Sequence, residues 1–177
     1  MKALETGLTE SKKQKGIQAA AWILAWIMAF GMLLQAPLFV NAAVNCKSLC
    51  QAALKETGGE SRLKYQSKKA EDFGGFSASD REKVSSIMYV CDEKEAYSLC
   101  VAKASSSSGA ADLLKSLKSY KSSNSSSDYL SDYSKEEQKV FKNALCGRKG
   151  KYVWYIAMSS KKSENKKGQT ALKEKLS

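Results

Sequence analysis

The 177-residue chain carries 29 Lys and Arg against 18 Asp and Glu, and it has no His. That composition excludes Ser-His-Asp and Cys-His catalysis, His-based acid–base chemistry and the His-containing zinc sites. The five Cys stand at spacings unlike the knuckles that wrap zinc, and no GxGxxG, P-loop or nucleophile elbow occurs. The expectation is a non-enzymatic protein with no metal, no cofactor and no small-molecule substrate.

Residues 16–46 carry no charged side chain, and Lys12, Lys13 and Lys15 stand just before them. Ile17 to Leu34 is mostly apolar and close to the roughly 20 residues that span a bilayer, while the flanking lysines would keep the N-terminus on the cytoplasmic side. Pro37 breaks a helix, and Val40-Asn41-Ala42-Ala43 fits a signal-peptidase site. Cleavage between Ala42 and Ala43 is expected, with an uncleaved membrane anchor as the alternative. Lys15-Gly16-Ile17, a basic run and a Gly before a long apolar helix, resembles the leader junction of type IV pilin-like proteins. That resemblance implies a cut after Gly16 and a helix packed into a filament; Ala21 stands where the family carries a carboxylate.

Beyond this segment, Cys46, Leu49, Cys50, Ala53 and Leu54 follow a helical period, with Asn45 to cap it and Gly58 to end it. Residues 58–75 read as a loop, with a short helix at 61–71. Ser79 and Glu82 form a capping box before Val84, Ile87, Met88 and Cys91, and Ala96, Leu99 and Cys100 continue the stripe toward Ala104, which predicts the longest helix. After a Ser-rich break at 105–109, Ala110, Leu113, Leu114, Leu117 and Tyr120 predict a third helix. Residues 122–127 read as a second Ser-rich linker, which contains the formal N-glycosylation acceptor Asn124-Ser125-Ser126. A capping box of Ser134 and Glu137 opens a fourth helix through Val140, Phe141, Ala144 and Leu145, closed by Gly147. Tyr152 to Met158 reads as a lone strand, and residues 159–177 as a disordered tail. The similar pentapeptides Ser48-Leu49-Cys50-Gln51-Ala52 and Ser98-Leu99-Cys100-Val101-Ala102 read as coincidence.

Cys46, Cys50, Cys91, Cys100 and Cys146 all fall on the expected exported side, where disulfides are the default. One of Cys46 and Cys50 is expected to join Cys91 or Cys100, with Cys146 tied to one of the rest and one thiol left over.

The positive charge is unevenly placed. Residues 1–42 and 43–144 carry a net +2 each, whereas residues 145–177 hold nine basic side chains against two Glu. Such a segment attracts polyanions without a specific pocket. Tyr152, Trp154 and Tyr155, flanked by Arg148, Lys149, Lys151, Lys161 and Lys162, form the most distinctive cluster, since rings interleaved with cations can stack and pair with phosphates.

The expected fold is therefore mainly α: a small disulfide-stapled domain of about four helices over 43–158, after a signal or transmembrane segment at 1–42, with one C-terminal strand and a basic disordered tail at 159–177. The expected function is that of an exported interaction protein, secreted or periplasmic if cleaved. Its basic, aromatic C-terminal region would contact an anionic polymer, a membrane surface or another envelope protein; nucleic acid is a less favoured partner. The alternative is a membrane-anchored structural subunit of an envelope or pilin-like assembly, packed through helix 17–34.

Overall fold

A computed structural model describes residues 44–61, 67–68 and 72–177. Their elements run α1 (Cys46–Thr57), a 3-10 turn (Gly59–Ser61), β1 (Ser67–Lys68), α2 (Ala78–Arg81), β2 (Val84–Cys91), β3 (Ser98–Ala104), α3 (Ser107–Asn124), α4 (Ser127–Leu130), α5 (Lys135–Lys142), β4 (Leu145–Lys149), β5 (Tyr152–Ala157) and α6 (Lys162–Lys175). The strands form one antiparallel sheet, a four-stranded body β2-β3-β5-β4 with the two-residue β1 added at the β2 edge. The domain is thus a helix-covered antiparallel sheet and not the mainly α fold expected.

Helices cover both faces of this sheet. Val90, Leu99, Val101, Trp154 and Ile156 point to one side, where they meet Leu49, Ala53 and Leu54 of α1 and Leu172 of α6. Tyr89, Cys91, Cys100, Val153, Tyr155 and Ala157 point to the other, against Leu113 and Leu117 of α3 and Val140 of α5. A strand buried on both faces is apolar at successive positions, so its pattern also satisfies a helical period. This is why residues 84–104 read as one helix although they form the β2–β3 hairpin. The charged stretch between the strands is its turn, in which Asp92 accepts a hydrogen bond from the Tyr97 amide at 3.1 Å. The cap upstream lies two residues earlier than expected: Ser77 and Asp80 bond reciprocally, and the short α2 ends at Arg81.

Three elements follow local chemistry closely. Asn45 accepts from the Ser48 amide at 2.8 Å to start α1, and Gly58 ends it. The Ser134–Glu137 box opens α5, which stops at Lys142, so that Leu145 and Gly147 belong to β4. β5 is a strand as expected, but it pairs on both sides, with β3 and β4. The Ser-rich linkers are mostly absorbed into α3 and its caps: Ser106 accepts from the Gly109 amide at 2.9 Å, and the Ser125 hydroxyl donates to the Lys121 carbonyl at 2.8 Å. Asn124, the formal glycosylation site, is buried in the last turn of α3. Where a short helix was read at 61–71, residues 67–68 are strand; residues 62–66 and 69–71 lie outside the described residues.

The expected disulfides are absent: all five cysteines are free thiols. Among the described residues no helix is long and apolar enough to cross a membrane. The segment 17–34 expected to do so, and the Ala42–Ala43 cleavage position, lie outside the described residues.

The expected disordered tail is helix α6, antiparallel to α1. The two helices are in close contact at Gly168, where a Cβ would lie 2.7 Å from Thr57 Cγ2 and 3.3 Å from the Ala53 carbonyl oxygen. Asn165, fully buried, fixes the start of α6: its Oδ1 accepts from the Met158 amide at 3.1 Å, and its Nδ2 donates to the carbonyls of Asn143 at 3.0 Å and Ser159 at 2.9 Å. Gly168→Val is therefore expected to destabilise the domain by about 1–3 kcal/mol through overpacking, read as a lowered urea midpoint of the full chain. An unchanged midpoint would contradict this close crossing.

Candidate anion-binding surface

The β4–β5 hairpin turns through Gly150, whose φ of 58° is left-handed, and its tip presents Arg148, Lys149 and Lys151. Each of these cations reaches a neighbouring backbone carbonyl. Arg148 Nη1 donates to Ser107 at 3.2 Å, Lys151 Nζ to Ser105 at 2.9 Å, and Lys149 Nζ to Lys173 at 2.8 Å. Lys149 thereby sits at the C-terminal end of α6, where the helix dipole favours a cation. These bonds clasp the hairpin to α3 and α6, yet they neutralise no positive charge.

Along α6 the buried positions Asn165, Gly168 and Leu172 face α1 and the sheet, which turns Lys162, Lys166 and Lys173 along one solvent flank, with Lys167 further round. Lys161 reaches Glu164 at 3.9 Å. Among the described residues, Lys162, Lys166, Lys167, Lys173 and Lys175 make no ion pair; the remaining pairs, such as Lys83–Asp112 and Lys94–Glu137, lie elsewhere. On its other side α6 borders an open groove of about 760 Å³ toward α1, where Glu56 and Glu174 stand among Lys55 and Lys175. Glu56 and Glu174 also line a smaller depression with Lys166 and Lys167, which brings two carboxylates to the edge of the basic flank.

The eight residues expected to act together are divided by the structure. Trp154 and Tyr155 are fully buried, on opposite faces of the sheet. Tyr152 is half-buried; its hydroxyl donates to the Val44 carbonyl, and Lys103 Nζ sits 5.5 Å from its ring centroid. Only the cations remain outside. Even these fall into two groups, because Lys149 meets the C-terminal end of α6 while Lys161 and Lys162 begin it, a helix length of roughly 20 Å away. The lysines that bridge this gap, Lys166 and Lys173, were not singled out in the sequence. The signal that marks them is the spacing of Asn165, Gly168, Leu172 and Leu176, a helical stripe made faint by its polar and small members.

The cysteines form no site. Cys46 and Cys50 project from α1 on one side of the sheet, and Cys91, Cys100 and Cys146 lie on the other. Cys91 pairs with Ser98, and Cys100 with Tyr89, so the two cysteines are diagonal neighbours, about 7–8 Å apart and too far to bridge. β5 separates Cys100 from Cys146, with Tyr155 between them. Burial pushes the Cys50 thiol up from 9.0 to about 12 and the Cys146 thiol to about 11; it also raises Cys46 and Cys100. Among the described residues no group of three or more Cys, Asp or Glu is placed to hold a metal ion. Comparison with protein-family models, curated proteins and solved structures finds no match.

Two outcomes follow for the thiols. A short iodoacetamide pulse at about pH 8 is expected to leave the native chain almost unlabelled, with half-buried Cys146 reacting first, and to modify all five thiols in denaturant. An unfolded thiol ionises near 9, whereas folded Cys50 ionises only near 12. Its contribution to stability is therefore complete below about pH 9 and is lost as pH rises from there toward 12. The urea midpoint should fall over that window, and fall less in Cys50→Ala; equal declines would contradict the assignment.

Proposed function

We propose that residues 43–177 are a non-catalytic binding module whose α6 lysine flank and β4–β5 hairpin tip hold a polyanionic partner. The observation that carries this reading is the ordered row Lys162, Lys166 and Lys173, which projects from a helix anchored by Asn165 and Gly168 and forms no ion pair among the described residues. A rigid row of cations concentrates positive potential along a line, which favours an extended anion over a point charge. Arg148, Lys149 and Lys151 add to the same field because their hydrogen bonds go to carbonyls. With Trp154 and Tyr155 inside the protein, the surface offers charge without those stacking faces. It therefore suits a polymer read by charge density more than single-stranded bases read by stacking.

Heparin serves as a probe polyanion for the full chain. Binding is expected to weaken steeply with salt. Lys162→Gln, Lys166→Gln and Lys173→Gln combined are expected to lower affinity about 10- to 100-fold at low salt, taking up to about 1 kcal/mol for each cation beside an anionic surface. Replacing Lys94, Lys135 and Lys139 by Gln, on α5 and the β2–β3 turn, should change it little. Equal effects from the two triple variants would reduce the interaction to net charge alone and overturn the assignment to α6.

A further inference from the structure

At one edge of the sheet β1 pairs with β2 at Tyr89 and Val90; at the other, β4 has β5 on one side and no described strand beyond it. Hydrogen bonding alternates along β4. Lys149 and Tyr152 close the turn at Gly150 and Lys151, so Leu145, Gly147 and Lys149 bond to β5, and the N–H and C=O of Cys146 and Arg148 point outward. The β3 side fixes the same phase: the Ala104 amide donates to the Lys151 carbonyl at 2.8 Å, which turns Tyr152, Trp154 and Ile156 toward β4. No hydrogen bond from another described residue reaches these outward groups. Arg148 is exposed, and Cys146 and Gly147 are half-buried, as on an uncovered edge.

Two helices wall this edge with lysine. α1 packs over β2 and β3, and α6 over β5 and β4, so the α6 flank turned away from α1 lies on the β4 side. The helix also runs along the strand. Near its start, Asn165 Nδ2 donates to the Asn143 carbonyl at 3.0 Å, just before β4; near its end, the Lys173 carbonyl accepts from Lys149 Nζ at 2.8 Å, at the last residue of β4. Lys162, Lys166 and Lys173 thus extend over roughly 17 Å of helix, about the length of the strand beside them. On the opposite face, Cys146 Sγ donates to the Leu117 carbonyl of α3 at 3.3 Å, and Lys118 and Lys121 lie close enough for their charges to act on that thiol.

We propose that the β4 edge takes up an extended, acidic polypeptide segment of a partner protein as one more strand of the sheet. This rests on the lysine surface described above and names the class of polyanion that it holds. The outward groups of Cys146 and Arg148 supply main-chain hydrogen bonds, and the pleat sends alternate side chains of the added strand toward the α6 lysines and toward Lys118 and Lys121. Charge complementarity selects the occupant. A second copy of this chain would set Arg148 and both lysine walls against their own kind. A polysaccharide or nucleic acid would satisfy the charge but cannot continue a backbone ladder.

The full chain is tested with an alternating Glu–Val peptide, an acidic probe of high strand propensity on its Val positions, and with heparin, which offers charge without a peptide backbone. Amide hydrogen exchange reads the ladder directly. Saturating peptide should slow exchange at Cys146 and Arg148 at least about 10-fold, with little change at Gly147 and Lys149, which β5 already protects. Heparin should leave the Cys146 and Arg148 amides as they were. Arg148→Pro and Arg148→Gln remove the same charge and the same bond to Ser107, but only Pro removes an outward N–H, at an edge position where no ladder bond is lost. Pro is expected to weaken peptide binding about 10-fold more than Gln does, with heparin affinity equal in the two. If Arg148→Pro does not fold, exchange in the unsubstituted chain decides alone. A peptide that does not bind, that binds without slowing the two amides, or that binds both variants equally overturns strand addition and leaves the lysine surface standing; so does heparin that slows the two amides as the peptide does. Heparin binding indifferent to Lys162, Lys166 and Lys173 overturns the surface and this proposal with it.

Discussion

The burial of β3 and β5 on both faces is the constraint on which the rest of the domain depends. These central strands bring Leu99, Val101, Trp154 and Ile156 to one face and Cys100, Ala102, Val153 and Tyr155 to the other. Neither set can meet water without losing roughly 25 cal/mol for each Å² of apolar surface exposed. Two layers of helix are therefore obligatory. α3 and α5 supply one of them. The other comes from the two ends of the domain, α1 and α6, which close over Trp154 and Ile156. The C-terminal residues are helical for this reason: the face beneath them has no other cover among the described residues, and Gly168 lets α6 come close enough to α1 to complete it.

The same constraint explains what the sequence could and could not reveal. Local signals worked where local chemistry decides: the Asn45 cap, the Ser134–Glu137 box, the α3 stripe from Ala110 to Tyr120 and the aromatic strand from Tyr152 were all legible. Periodicity failed where burial is two-sided. Ser48-Leu49-Cys50-Gln51-Ala52 lies in α1, whereas Ser98-Leu99-Cys100-Val101-Ala102 lies in β3. Four of the five residues agree, and tertiary placement decides between helix and strand. α6 was missed for the opposite reason: its buried stripe contains Asn165 and Gly168, which hydropathy counts as solvent-facing, although one is a hydrogen-bonding tie and the other a contact point. The disulfide expectation rested on compartment and composition and could not see that the sheet itself stands between the cysteines.

Charge follows a parallel logic. The cations of the hairpin tip are structural and electrostatic at once, because a carbonyl partner fixes an ammonium or guanidinium without cancelling it. A carboxylate in the same position would have held the hairpin equally well and erased the field. Three carbonyl contacts would be unremarkable one by one; what matters is that the sequence from 145 onward contains only Glu164 and Glu174 to oppose nine basic groups. Of these two acids, Glu174 stands at the α1 groove and Glu164 lies within reach of Lys161. The lysine flank is left as the charged side of a helix whose other side is committed to the core.

The two faces of the sheet also differ in kind, and this difference bears on register. On the α1 and α6 face, the row Val90–Leu99–Ile156–Leu145 is aliphatic throughout, and the row Met88–Val101–Trp154–Gly147 sets the largest side chain beside the smallest. A Cβ at Gly147 would lie 2.5 Å from the Trp154 indole, so the ring lies directly over that strand. On the α3 face, the row Tyr89–Cys100–Tyr155–Cys146 alternates tall and short, and its heights are filled by Phe73 and Tyr120. A one-residue slip of β5 would exchange the faces of every side chain on it. Trp154 would then lose the glycine beneath it, and the Tyr155 hydroxyl would enter a wholly aliphatic layer. Each face is complementary to one register only, so the tyrosine–cysteine row and the tryptophan–glycine pair hold β5 in place more specifically than the backbone ladder, which would pair equally well after a slip.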